Sequence, residues 1–308
     1  MTLPSSAPGG ESRPALMAGI GSYLIWGFVP LAFQLIGRMG VGAWEILAHR
    51  IVWSMPAAAL FVAFATQWRQ VADILRKPRV VGLLAASAAM IALNWIVFIG
   101  AVNSGHVLET SLGYFINPLM NMAAGAILFR ERIDNIARAA IGLALVGVGL
   151  QTAALGHLPV VSLTVAISFL GYGLVRKHVA ADAQAGLLVE CLLLAPLALG
   201  YLLWLELGAG QGHIFSSPLT AAWLIASGPL TALPLVLFAW AARRIPLSFM
   251  GFLQFIAPSI SFVTGLVQGE PFTPLRAVSF ACIWASVAIF IYGAWRRTRR
   301  LPPTPVEA

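Results

Sequence analysis

The sequence predicts an all-α integral membrane protein of ten transmembrane helices, arranged as two inverted five-helix repeats with both termini in the cytoplasm. Three observations carry that expectation: the composition, the lengths of the apolar runs, and the spacing of the basic connections. Hydrophobic residues make up 59% of the chain and charged residues 10%, with a mean hydropathy of +0.87. A soluble domain carries roughly 25% charged residues, so the solvent of this chain is hydrocarbon.

Crossing about 30 Å of hydrocarbon takes about twenty apolar residues in a helix. Runs of that kind lie at 14–37, 43–65, 79–101, 106–128 and 136–153, and again at 158–175, 184–205, 218–241, 247–266 and 274–295. They divide the chain into a disordered cytoplasmic tail (1–13), a first five-helix repeat (14–153), a second (154–295), and a basic then proline-rich cytoplasmic tail (296–308). Membrane helices tolerate internal proline when neighbours satisfy the freed backbone groups, so kinks are expected near Pro30, Pro118, Pro234 and Pro258. The first run is too long for a secretory leader and has no small-residue cleavage site behind a short apolar segment.

The net charge of +8 is distributed by topology. Sixteen of the nineteen basic residues fall in the N-terminal tail, at 69–79, 130–138, 176–177 and 243–244, and in the C-terminal tail. The opposite connections hold only Arg38 and Arg276, and Arg50 lies inside a span. This alternation is the positive-inside pattern. It places both termini in the cytoplasm and assigns the clusters to orientation, with no nucleic-acid partner. Cys191 and Cys282 lie within spans, where a free thiol acts as a small apolar group. No HExxH, GxxxxGK[ST], GxGxxG or CxxC stretch occurs, so the sequence implies no metal, cofactor or ATP-driven step.

A shift of 140 residues lays "ALNWIVFIGAV" (92–102) on "ALPLVLFAWAA" (232–242) and "SLGYFINPLMNMAAG" (111–125) on "GFLQFIAPSISFVTG" (251–265). A slightly larger shift lays "SYLIWGFV" (22–29) on "SFLGYGLV" (168–175), and near the same shift Glu45 meets Glu190. Each repeat has an odd number of spans, so the second must cross in the opposite sense. Secondary transporters use this architecture, with a site between the repeats that opens to either side in turn.

The stretches "EILAHRIVWS", "NWIVFIGAVNSGHVLETSLGYFINPL", "SFLGYGLVRK" and "GFLQFIAPS" resemble the RarD-type permeases, in the EamA branch of the drug/metabolite transporter superfamily. The resemblance runs from about residue 14 to 295, with order and spacing intact. It implies a multi-pass permease of the inner (plasma) membrane with a ten-helix fold.

Glu45, His49 and Arg50 interrupt the second span. A central arginine costs about 2.5–3.5 kcal/mol on the insertion scale, against about 0.3–0.6 recovered per leucine. Two readings stay open: Arg50 snorkels or pairs with Glu45 or Glu109 to hold helices together, or His49 and Arg50 face a water-filled cavity and bind an anionic or zwitterionic solute. Glu45, Glu109 and Glu190 are candidates for proton coupling or gating, with plain ion pairing as the alternative. Asn94, Trp95, Tyr114 and Asn117 form a further candidate binding group beside Pro118, set against simple interhelical hydrogen bonding. Trp26 and Tyr172 are repeat-related aromatics, for packing or for solute stacking, and Gln254 corresponds to Tyr114. His106, His157, His178 and His213 read as solvated loop residues.

The function expected is a secondary transporter moving a small organic metabolite or drug-like solute by alternating access, without enzymatic activity. Spans one to four and six to nine should line a central cavity. The fifth and tenth should brace the scaffold or form a homodimer contact, and lipid should cover the rest. The alternative is a membrane-embedded sensor or enzyme that binds a lipid or metabolite without moving it. No nucleophile stands in a recognisable spacing with a base, and the tails offer no output domain.

Overall fold

The computed structural model describes residues 12–128, 135–242, 244 and 253–300. Among the described residues the protein is all-helical. The helices are α1 (Ser12–Arg38), α2 (Ala43–Phe64), α3 (Trp68–Leu75), α4 (Pro78–Asn103), α5 (Val107–Leu128), α6 (Asn135–Leu155), α7 (Val160–His178), α8 (Ala183–Leu203), α9 (Pro218–Ala242), α10 (Ile256–Val267) and α11 (Pro274–Arg300). A five-residue π-helical turn, Trp204–Gly208, extends α8. Among the described residues seven helices are long and apolar enough to cross a membrane: α1, α2, α4, α6, α8, α9 and α11. The protein is therefore an all-α, multi-pass membrane protein.

Two features depart from the expectations. The connection after α2 folds into the amphipathic α3, which buries Val71 and Ile74 and leaves Trp68 half-exposed. Helix α11 runs on through Arg300, so the basic run expected to begin the tail is the end of a helix. Of the tails expected at 1–13 and 296–308, residues 12–13 and 296–300 are helical, while 1–11 and 301–308, with Arg130, Arg132 and Arg243, lie outside the described residues, as does the start of the span expected at 247–266. Of the expected kink prolines, Pro30, Pro118 and Pro234 are inside helices. Pro258 instead sits in the first turn of α10, where a missing N–H costs no helical hydrogen bond.

Helices end where glycine lets the chain turn. Gly105 has φ 77° and Gly269 also has φ 77°. At the first, His106 N–H donates to Ala101 O (2.8 Å) and Gly105 N–H to Val102 O (3.3 Å). At the second, Glu270 N–H donates to Gly265 O and Gly269 N–H to Leu266 O, both at 3.0 Å. These paired bonds close the last carbonyls of α4 and α10. The second turn also aims Glu270 at the start of α5, where its carboxylate accepts from the free amides of Val107 and Leu108, the preferred place for a negative charge on a helix.

The packing follows a regular scheme. α1 lies on α9 as α4 lies on α7; α1 touches α10 as α5 touches α7; α2 meets α8, α5 meets α10, and α6 pairs with α11. Small residues set the closest approaches. A Cβ on Gly228 of α9 would stand 2.2 Å from the Trp53 carbonyl carbon of α2, and one on Gly113 of α5 would stand 2.7 Å from the Ser162 carbonyl oxygen of α7. Burial is inverted relative to a soluble protein: Leu197, Leu207 and Val267 are exposed, while Glu45, Asn94, Asn117, Gln151 and Glu190 are buried. Many apolar side chains face outward, and the polar ones gather where helices meet.

Because the obstacle at Gly228 is backbone, it cannot rotate away. Gly228→Ala is expected to destabilise the purified protein by about 1–3 kcal/mol through overpacking, seen as a lower melting temperature in detergent. Gly149→Ala, with no atom within 4 Å of the added carbon, should leave it unchanged or slightly higher.

Candidate functional site

The polar residues of the interior form three groups along the bundle, and α2 carries two of them. At the end where α2 begins and α8 finishes, Glu45 is 2% exposed. Its carboxylate accepts from the His213 backbone N–H at 2.7 Å and lies 2.8 Å from His213 Nδ1. His49, one turn on, has Nε2 4.0 Å from the same carboxylate. Neither of its ring nitrogens has a hydrogen-bond partner among the described residues. His213 belongs to the connection between α8 and α9, which a second carboxylate also holds: Glu206, in the π-helical turn, accepts from Ile214 N–H at 3.3 Å. The sequence reading placed His213 among solvated loop residues; the structure lays it on Glu45. Two adjoining recesses open at this end. One of about 420 Å³ is lined by Glu45, Tyr201 and His213, and one of about 630 Å³ by Gln34, Arg38, Asn103 and Gln268.

Arg50 stands at the middle of the site, 6% exposed. Its guanidinium carbon is 4.0 Å from the ring centroid of Trp95 on α4 and 5.2 Å from that of Phe33 on α1. Its Nε donates to Thr231 Oγ1 of α9 at 2.7 Å, and Tyr114 and Cys191 lie within its electrostatic reach. Among the described residues no carboxylate pairs with it, so the expected partners Glu45 and Glu109 do not neutralise it. A desolvated cation–π contact contributes about 2 kcal/mol and a charged hydrogen bond about 1.5–3. The effective cost of burying an ion is several kcal/mol, the same order as these contacts together supply.

Around Arg50 the other candidates separate by role. Asn94 is bonded through both ends of its amide: the nitrogen donates to Val165 O (2.8 Å) and Ser168 Oγ (3.1 Å), and the oxygen accepts from Tyr114 O–H (3.1 Å). This joins α4, α5 and α7 and fixes the Tyr114 ring, which meets Phe98 and Phe169 edge-on at 5.8 and 6.2 Å. Asn117 lies one turn along the same face of α5. It is 1% exposed, and neither amide atom has a partner among the described residues. Tyr172 joins the central cluster through Phe169, whereas its repeat mate Trp26 packs with Tyr23 and Phe238 in a separate cluster between α1 and α9. Gln254 is half-buried in the turn before α10. Glu109, in the first turn of α5, is 6% exposed and forms no ion pair among the described residues.

The third group lies toward the opposite end. Glu190 of α8 accepts from Ser87 Oγ of α4 and sits 3.8 Å from Arg176 Nη1 of α7. Gly186 makes room for that arginine, since a Cβ there would fall 1.8 Å from Nη1. The sequence reading counted Arg176 with the orientation signals at a helix end, but the structure turns it inward.

Several relatives, one of them named as a transporter, match this helical bundle over most of its length. An uncharacterized transporter of Pseudomonas aeruginosa is 42% identical over 294 residues, covering 94% of this chain and 97% of its own. The protein RarD of Escherichia coli K12 is 39% identical over 292 residues, covering 94% and 98%. The chloramphenicol-sensitive protein RarD of Pseudomonas aeruginosa is 31% identical over 261 residues, covering 83% and 87%. A solved crystal structure at 18% identity covers 94% of this chain and 100% of its own with a TM-score of 0.60, a likeness of fold. Spans, buried polar groups and relatives together define a multi-pass membrane transporter. The EamA-like transporter family matches residues 13–152. The chain belongs to that family, as a RarD-type permease.

Removing one partner of a buried ion pair leaves the other uncompensated, at about 3–5 kcal/mol. Arg176→Met should therefore lower stability sharply, and adding Glu190→Gln should restore much of the loss in a double-mutant cycle read by thermal unfolding. At the other end, Glu45→Ala is expected to reduce hydrogen-exchange protection of the His213 amide by about 10–100-fold, the equivalent of a charged hydrogen bond of about 1.5–3 kcal/mol.

Proposed function

We propose that this permease is a secondary transporter that carries a small organic metabolite or drug-like solute across the inner membrane by alternating access. Ten spans complete the reading, with α5, α7 and α10 added to the seven helices long and apolar enough by themselves. The basic connections support cytoplasmic termini. The observation that carries the proposal is the packing scheme. Exchanging α1 with α7, α2 with α8, α4 with α9, α5 with α10 and α6 with α11 maps the principal helix contacts onto one another. Two five-helix repeats related in this way can trade conformations, and that trade is what alternating access requires. Arg50, reached from α1, α4 and α9, marks the solute site between them. Glu45 with His49 and His213 at one end, and Glu190 with Arg176 at the other, are gates that proton binding would loosen, since neutralising either carboxylate removes its charge pairing. A chloramphenicol-like solute belongs in the test set because one relative carries that drug in its name.

The protein reconstituted in liposomes is expected to accumulate at least one labelled member of a panel of amino acids, organic acids, nucleosides and chloramphenicol when a pH gradient is imposed, severalfold above protein-free vesicles. A protonophore should abolish the excess. Accumulation that survives the protonophore would remove proton coupling, and equilibration no faster than in empty vesicles across the panel would count against transport.

A further inference from the structure

The structure assigns the Arg50 site to a solute with one negative charge and an apolar or aromatic body, a monocarboxylate, in preference to a zwitterion or a neutral drug; the assignment rests on the transport reading above. Three features lead to it. The guanidinium is buried and fixed in orientation by the Trp95 face and by one bond to a neutral hydroxyl, Thr231 Oγ1. That bond occupies Nε alone, so the terminal nitrogens keep the paired donors that match a carboxylate edge. No carboxylate of the chain competes for them among the described residues: Glu45 is engaged by His213 and Glu190 by Ser87 and Arg176.

The same inventory disfavours a zwitterion. An ammonium group beside the carboxylate is best met by an anionic partner. The walls near Arg50 instead carry Phe33, Trp95, Phe98, Tyr114 and Phe169. Of the amides on this wall, Asn94 already accepts from Tyr114, and Asn117, with both amide atoms unpartnered among the described residues, is neutral. A dianion would need a second cation. Arg176 is committed to Glu190, and His49, with both ring nitrogens unpartnered, lies by Glu45. One positive charge among aromatic rings selects one negative charge on an apolar frame.

The test compares four molecules of one shape, benzoate, benzamide, benzylamine and phenylalanine, for thermal stabilisation of the purified full chain and for passage across liposomes that contain it. Wild type is set beside Arg50→Gln and Arg50→Lys. Benzoate should raise the melting temperature of wild type, the other three should not, and Arg50→Gln should abolish the shift while remaining folded. Arg50→Lys, which keeps the charge without the fork, should bind benzoate at least tenfold more weakly. A benzoate shift that persists in Arg50→Gln overturns the assignment, as does equal stabilisation by benzamide or phenylalanine or no stabilisation by benzoate. Should Arg50→Gln melt too low to read, the Arg50→Lys comparison and the benzoate-to-benzamide contrast in wild type still decide. Benzoate that binds through Arg50 but never crosses would speak against transport alone, whereas passage of any panel solute unaltered by Arg50→Gln would speak against the site alone.

Discussion

A guanidinium held away from water inside apolar helices constrains every wall it touches. Arg50 lies over the Trp95 ring, with Phe33 near by and Thr231 at Nε, so α1, α2, α4 and α9 are located by one side chain. Substituting any of these contacts changes how the charge is held, and the rest of the centre follows. Trp95 neighbours Asn94, and Asn94 in turn fixes Tyr114 on α5 and reaches α7 through Val165 and Ser168. The aromatic cluster around the cation is therefore an oriented set of rings and not a loose greasy filling.

Close backbone approach is the second constraint. Where Gly228 faces Trp53 and Gly113 faces Ser162, the helices meet with no side chain between them. Apolar side chains gain little from leaving lipid for a helix interface, so such contacts depend on dispersion and shape. Gly228 is what brings α9 near enough to α2 for Thr231 to reach Arg50. The α6 and α11 pair packs chiefly on itself, apart from this polar centre, and keeps the inner helices from having to serve as the outer wall too.

Much of this was legible in the sequence, and what escaped has physical causes. A charge inside an apolar run identifies itself, so Glu45, Arg50 and Glu190 stood out before any coordinates. Their partners did not. Thr231 is a neutral hydroxyl 181 positions from Arg50, and a span-length window cannot tell it from any other helical threonine. His213 and Arg176 sat where a loop or a helix end meets water, and there charge is normally solvated; only the fold turns them onto Glu45 and Glu190. The α3 helix was missed because its eight residues are too few for a hydropathy window, though Val71 and Ile74 share a helical spacing. Trp26 and Tyr172 matched as repeat mates, yet one packs at the α1–α9 contact and the other at the centre, since local sequence likeness does not set which face a ring turns to.

The connection from α8 to α9 is a short strap fastened twice, to Glu45 on α2 and to Glu206 on the turn from which it springs. Helices α2 and α8 also pack directly on each other, so the strap adds a charged clasp to an existing contact. One short segment thereby joins α2, α8 and α9 at this end of the protein.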